Sequence, residues 1–262
     1  MSGTGAPADD DVTEDAFLGG ALTILQPKSG YRAGLDAVLL AAAAAAGPGE
    51  QVLDVGSGVG VVGLAAARRL TGIAVALVEQ DPGLVALACR NIARNSLSGR
   101  VRAIAADVAR PLSESPELHA LAERFDHALA NPPFLIEGRG SPAGDRVKAA
   151  ANAMPAGALA RWVQFMAAMV RPGGTITLIH RADALREVLS AVDGRFGGVA
   201  VLPVHPYADK PASRVLVQAR KASRAPLVLR PGMTLHNGDG SFRPEIEAIL
   251  RNGAALDRFQ EA

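Results

Sequence analysis

The stretch Val52-Leu53-Asp54-Val55-Gly56-Ser57-Gly58-Val59-Gly60 changes character twice within a few residues. It opens as an apolar run, meets an acid at Asp54, and then breaks into alternating glycines from Gly56 to Gly60. Beyond it, Val61-Val62-Gly63-Leu64-Ala65-Ala66-Ala67 turns to helix-forming residues. The pattern predicts strand, tight turn and helix, the first unit of an open α/β sheet with a ligand at the strand's carboxyl end. Glycine is needed there because the backbone turns sharply and a ligand lies almost against it, where a Cβ would collide.

The units that follow repeat the theme. Val75-Ala76-Leu77-Val78-Glu79 reads as a second buried strand ending in an acid, and Asp81-Pro82 as the N-cap and first residue of a helix reaching about Asn95. Val101–Ala106 is a third strand, closed by Asp107. Phe125–Ala130 is a fourth, delivering Asn131-Pro132-Pro133-Phe134 to the same edge as the glycines. A helix is expected over Ala156–Arg171, with Trp162 and Phe165 as core anchors, then strands over Thr175–His180, Val199–Pro206 and Arg214–Arg220. A hairpin-type return at Tyr207–Ser213 joins the last two.

Gly58-Val59-Gly60-Val61-Val62-Gly63 also satisfies the dinucleotide-binding pattern, with Glu79 about 20 residues on. A nicotinamide or flavin enzyme is therefore one reading, but it lacks a catalytic His/Lys/Tyr arrangement and leaves Asn131 to Phe134 unexplained. An acid ahead of G-x-G-x-G, with a later strand ending in N-P-P-F, resembles the class I S-adenosylmethionine methyltransferases that act on planar nitrogens. The resemblance covers about residues 17–221. It implies a Rossmann-like α/β fold, a seven-stranded mostly parallel sheet with an antiparallel last strand and helices on both faces. It implies S-adenosyl-L-methionine (AdoMet) as cofactor, lined by Asp54, Gly56, Gly58, Gly60 and Asn131. Glu79 then takes the ribose hydroxyls, and Asp107 the adenine amine. The segment before the apolar run Ala37–Ala46 covers the methionine end, with Tyr31 packed on it and Arg32 or Asp36 facing its carboxylate or amine. The plainer readings are a surface acid at Glu79, a turn aspartate at Asp107, and a helix cap with a surface arginine at Asp36 and Arg32.

The tetrapeptide has a chemistry that suits this resemblance. The lone pair of an exocyclic purine amine is delocalised into the ring, which makes the nitrogen a poor nucleophile. The Asn131 side-chain carbonyl and the Pro132 backbone carbonyl can accept both amine hydrogens, holding the nitrogen in line with the methyl group and favouring pyramidalisation. Pro132 and Pro133 stiffen the loop and bring no competing N–H. Phe134 offers a face for a flipped-out base, a contact of ~1–3 kcal/mol.

Within the superfamily, three features look like the bacterial tRNA adenine-N6 methyltransferases that modify the adenine 3′ of the anticodon in valine tRNA. They are the Gln26–Asp36 lead-in, the short stretch before the cofactor unit, and a tail with Asp239-Gly240-Ser241-Phe242 ahead of a helix. The expected reaction is methyl transfer from AdoMet to N6 of adenine in tRNA. The same N-P-P-F/Y motif serves enzymes that methylate DNA adenine, ribosomal RNA and the amide of protein glutamine. A glutamine methyltransferase usually carries Tyr in place of Phe134 and a helical domain before the cofactor unit, where this chain has about fifty residues. A non-catalytic binding module of the same fold need not keep Asp54, Glu79 and Asn131 together. Residues 135–155 form a long Gly/Pro-containing insertion beside the site, and its Arg139, Arg146 and Lys148 suit an RNA backbone or plain solvation.

Length and composition fit a moderate globular domain: 262 residues, 49% hydrophobic and 20% charged. Residues 1–15 carry five acids and no Lys or Arg, so that removing them takes the net charge from +1 to +6. They are expected to be a disordered acidic tail, with the catalytic domain over 16–222 and an extension of it over 223–262. No apolar run reaches the ~18–20 residues of a membrane span, and a secretory signal is lacking, so a cytoplasmic protein is expected. The one cysteine, Cys89, falls in an apolar helical pattern and is expected to be buried. The five histidines show no metal-ligand spacing.

Overall fold

The computed structural model describes residues 11–30, 32–133, 135–136, 153–154 and 157–259. A hairpin comes first, β1 (Val12–Phe17) antiparallel to β2 (Leu22–Pro27). Helix α1 (Leu35–Ala42) leads to β3 (Gln51–Val55), α2 (Val61–Arg69), β4 (Ala74–Glu79) and α3 (Pro82–Arg94). Next come β5 (Val101–Ala105), α4 (Pro116–Ala120), β6 (Phe125–Ala130) and the short parallel pair β7 (Leu135–Ile136) and β8 (Ala153–Met154). Helix α5 (Ala158–Met169), β9 (Val170–Arg181) and α6 (Leu185–Val192) follow. The chain continues through β10 (Phe196–His205), β11 (Arg214–Lys221), β12 (Val228–Leu229), β13 (Met233–Thr234) and α7 (Pro244–Asn252).

The main sheet has the order β12-β10-β11-β9-β6-β3-β4-β5, with β13 also on β10. Strand β11, wedged between β9 and β10, runs antiparallel to both, while every other pairing in the sheet is parallel. The expected α/β architecture is therefore present. Its strand count is nine among the described residues rather than seven, because the two-residue β12 and β13 each add a parallel pairing to β10. From β3 the chain proceeds outward through β4 and β5, then returns to place β6 on the other side of β3. That reversal is the topological switch point, and the crevice at the carboxyl ends of β3 and β6 is where an open α/β sheet receives its ligand.

Both faces of the sheet are covered, which is why its central strands are apolar throughout rather than alternating. Val52 and Leu77 face a core shared with α1, α2, the hairpin and α7, while Leu53, Val55, Ala128 and Ala130 face a second core built with α5 and α6.

Two expectations are corrected here. The acidic tail joins the fold from Val12 instead of staying disordered through residue 15, because its backbone pairs with β2 over Val12–Phe17, with Glu14 beside Arg94 and Asp15 beside Arg32. Cys89 is exposed. The buried stripe of α3 runs through Leu87, Ala88, Asn91 and Ile92, and at 3.6 residues per turn position 89 faces outward.

The edge of β2 that faces α3 is covered by the side chains of Asn91 in that helix and of Asn95, its C-cap. Asn91 Oδ1 accepts from the Leu25 N–H at 2.8 Å and its Nδ2 donates to the Leu25 carbonyl at 3.1 Å. Asn95 does the same at Thr23, at 3.0 and 2.8 Å. One turn of helix thus matches two residues of strand, and the buried amides are satisfied.

Candidate active site

Strand β3 ends at Val55, and Gly56 takes the turn at φ +64°. A Cβ on residue 56 would lie 2.1 Å from Trp162 Cη2, so the indole of α5 sits against the turn only because that residue is glycine. Trp162 is thus half-buried against the glycine loop, while Phe165 is the core anchor expected. Gly58, at φ +55°, is the opposite case: nothing lies within 4 Å of where its Cβ would be, leaving an open side on which a ligand can rest. Beside it the Ser57 hydroxyl is buried with no hydrogen-bond partner among the described residues. A buried polar atom in that condition costs ~1–3 kcal/mol, which an incoming polar ligand can offset. Gly60 then leads into α2, whose first turn adds the partial positive charge of a helix start.

Two carboxylates hold this loop. Asp54, 1% exposed, accepts from the Gly63 N–H at 2.8 Å and so fixes the first turn of α2. Burial pushes its carboxyl up to about 7, against the lowering effect of the Gly63 hydrogen bond and with a further push from the nearby Glu79 charge. Glu79 accepts from the Gly58 N–H at 2.9 Å through one oxygen, and from Gln80 and Asp81 N–H at 2.8 and 2.9 Å through the other. A carboxylate has about four acceptor positions, so Glu79 retains capacity for a further donor such as a ribose hydroxyl. Asn91 also reaches this loop, donating to the Val59 carbonyl at 3.0 Å. Its signal in the sequence was an amide on the apolar stripe of an amphipathic helix.

The acceptor side is set by β6. Ala130 is paired with Val55 of β3 and Leu178 of β9, so the backbone entering Asn131 is held from both sides. Asn131 is half-buried with its Oδ1 shielded from solvent, Pro132 is buried and Pro133 exposed. His180, at the carboxyl end of the neighbouring β9, is 6% exposed, and burial lowers its pKa, favouring a neutral ring at pH 7. Phe134 and the insertion residues Arg139, Arg146 and Lys148 lie outside the described residues, as does Tyr31.

Several other candidates are engaged in structural bonds. Arg32 binds Asp15, donates to Thr13 Oγ1 at 2.6 Å and to the Pro27 carbonyl at 2.8 Å, fastening the hairpin. Asp36 at the start of α1 pairs with Arg214 of β11 at 2.9 Å. Gln26, 2% exposed, ties the same region together through the Ala33 N–H at 2.8 Å and Asp15 at 2.9 Å. Asp107 makes a local turn, accepting from the Ala109 N–H at 2.8 Å, at the end of β5 on the same edge of the sheet. The structure therefore brings together Asp54, the glycines, Glu79 and Asn131-Pro132 at the switch point, and gives Arg32 and Asp36 architectural partners.

A family model described as the methyltransferase small domain matches residues 34–165, just over half the chain and all of this crevice. The chain belongs to the methyltransferase small domain family and is a methyltransferase. A curated relative from Porphyromonas gingivalis, named tRNA1(Val) (adenine(37)-N6)-methyltransferase, is 28% identical over 240 residues, covering 88% of this chain and 91% of that protein. A relative of the same name from Pedobacter heparinus is 27% identical over 208 residues, covering 78% and 83%. Among solved structures, an Agrobacterium tumefaciens protein described as a predicted O-methyltransferase has a TM-score of 0.69 at 29% identity, covering 84% of this chain and 98% of its own.

Proposed function

We propose that this methyltransferase transfers a methyl group from AdoMet to the exocyclic N6 amine of an adenine in tRNA, the adenine 3′ of the anticodon in valine tRNA. The observation that carries the reading is the place of Asn131-Pro132 at the end of β6, next to the glycine loop at the switch point. The tRNA acceptor is supported by the likeness, over most of both chains, to relatives that bear that activity in their names. No helix among the described residues is long and apolar enough to cross a membrane, and no group of them is arranged to hold a metal ion.

The cradle fits AdoMet. The open side of Gly58 and the buried Ser57 hydroxyl suit its polar amino-acid end, and the remaining acceptor capacity of Glu79 suits its ribose. When bound, AdoMet supplies a methyl group activated by a sulfonium. The protein's own work is on the acceptor. Asn131 Oδ1 and the Pro132 carbonyl take the two amine hydrogens, which withdraws the lone pair from the ring and aims it at the cradle. An oxygen acceptor would have no second hydrogen for this pair of carbonyls, which favours nitrogen. After transfer the nitrogen is acidic enough to lose its proton to water, so no side-chain base is required.

The test is methyl transfer from radiolabelled AdoMet, with bulk tRNA and total protein offered separately and the labelled nucleoside or amino acid identified after hydrolysis. N6-methyladenosine in tRNA is the expected product. Methylglutamine in protein would replace this reading with its nearest rival.

Two further results are expected. Glu79→Ala should weaken AdoMet binding by about 1–3 kcal/mol in a calorimetric titration, the scale of a lost charge-assisted hydrogen bond. Unchanged affinity would leave Glu79 as a clamp on the loop and nothing more. Binding of tRNA should fall with salt: about three neutralised phosphates give a slope near −2 and roughly a 16-fold loss between 50 and 200 mM. A flat response would exclude a phosphate-based contact.

A further inference from the structure

The geometry points to the aromatic cluster Tyr207–His236–Phe242 as a second contact for the RNA substrate, in which an unpaired base stacks on the exposed ring of Tyr207. The inference rests on the reading of the acceptor as RNA, and concerns a nucleotide other than the one that is methylated.

The three rings form a cluster. Phe242 packs against the core formed with α1 and the hairpin. His236 stacks on it, with ring centroids 4.6 Å apart and planes at 24°. Tyr207 lies beside His236, with ring centroids 5.3 Å apart and planes tilted by 33°. The turn between His236 and Phe242 is over-determined. Asn237 N–H donates to the Ser241 carbonyl at 2.8 Å, His236 Nδ1 donates to the Gly240 carbonyl at 3.1 Å, and the Asp239 carboxylate accepts from Ser241 N–H and Oγ at 2.9 and 2.6 Å. A cluster built only to anchor the chain would end in a buried ring. This one ends at Tyr207, 36% exposed and among the few large apolar side chains on the surface. Rigid, pre-stacked aromatics lose little entropy on binding, and every base has a π-face to offer.

Its place in the fold relates the cluster to the active site. β10 runs parallel to β6, so its carboxyl end, where Tyr207 follows His205, is on the same edge of the sheet as Asn131. The two strands are three steps apart in the sheet, roughly 14 Å at 4.8 Å per strand. Counting residues beyond the rung that joins Ala130, Leu178, Val217 and Val201 puts Tyr207 on the order of 20 Å from Asn131. That separation reaches a base several nucleotides from the acceptor. Arg243 is exposed on the loop that carries His236 and Phe242 and suits an intervening phosphate, while Lys210 on the loop of Tyr207 is paired with Asp209 at 3.2 Å.

The test compares wild type, Tyr207→Ala and Tyr207→Trp in binding an unmodified valine tRNA transcript, with AdoMet affinity measured alongside. Tyr207→Ala should raise the tRNA Kd and KM about tenfold, with AdoMet affinity at wild-type level, while Tyr207→Trp keeps tRNA affinity. Wild-type tRNA affinity in Tyr207→Ala overturns the inference while leaving the RNA reading in place. A wild-type enzyme that neither binds nor methylates the tRNA overturns both.

Discussion

Asn131→Ala is expected to lower turnover by at least about 10²–10³-fold, the scale of removing one preorganised polar group from a transition state, while AdoMet affinity stays within a few-fold. Ala130 is held between β3 and β9, Pro132 is buried, and the prolines restrict the loop, so the backbone at residue 131 is held from both sides. Alanine keeps that strand pairing and removes the side-chain carboxamide, and with it the carbonyl proposed to take one amine hydrogen. The nitrogen then keeps its lone pair in the ring and loses one of the two contacts that aim it. Because the contact strengthens as the nitrogen pyramidalises, the loss falls on the rate of the bound complex and not on substrate binding. Single-turnover transfer to tRNA with saturating AdoMet measures it directly. A variant that retains a tenth or more of wild-type activity would show that the Pro132 carbonyl alone orients the amine, and would falsify the proposed role.

The parts of this site that could be read from the sequence were those whose chemistry is local. Asp54 and the glycines lie on one strand and one turn, so residue type and spacing alone place them at the carboxyl end of β3. Asn131-Pro132-Pro133 does the same at the end of β6. The positions that escaped depend on partners far along the chain. Arg32 and Asp36 read in the sequence as candidates for a charged cofactor end, and only the fold adds Asp15 and Arg214 as their partners. Trp162 had the composition of a core residue, and only the folded chain sets its indole against Gly56, 106 positions away in sequence. The acids at 14 and 15 looked solvated because charge alone does not reveal that Arg94 and Arg32 stand opposite them. In each case the missing information was tertiary pairing, which propensity and periodicity do not encode.

Asp54→Asn is expected to flatten the protein's stability between pH 5 and pH 8. Asp54 is completely enclosed, and burial raises its carboxyl from 3.8 to about 7. The folded chain therefore holds a proton that the unfolded chain has released throughout the window between those values. Fewer protons in the unfolded state mean that stability declines as pH rises across the window, then levels off above about pH 7. At about 1.4 kcal/mol per pH unit the whole decline amounts to ~4 kcal/mol, of which roughly 2–3 kcal/mol falls between pH 5 and pH 8. The amide of Asn keeps a carbonyl oxygen for the Gly63 N–H but does not titrate, so the variant should lack this slope while retaining the start of α2. Urea unfolding of both proteins at the two pH values isolates the difference from every other ionisable group, since those are common to both. Parallel pH profiles would mean that Asp54 is already ionised in the folded state. A dependence on Glu79 gives a second check. Its charge pushes the Asp54 carboxyl in the same direction as burial, so Glu79→Ala should move the declining window toward lower pH in the otherwise wild-type chain.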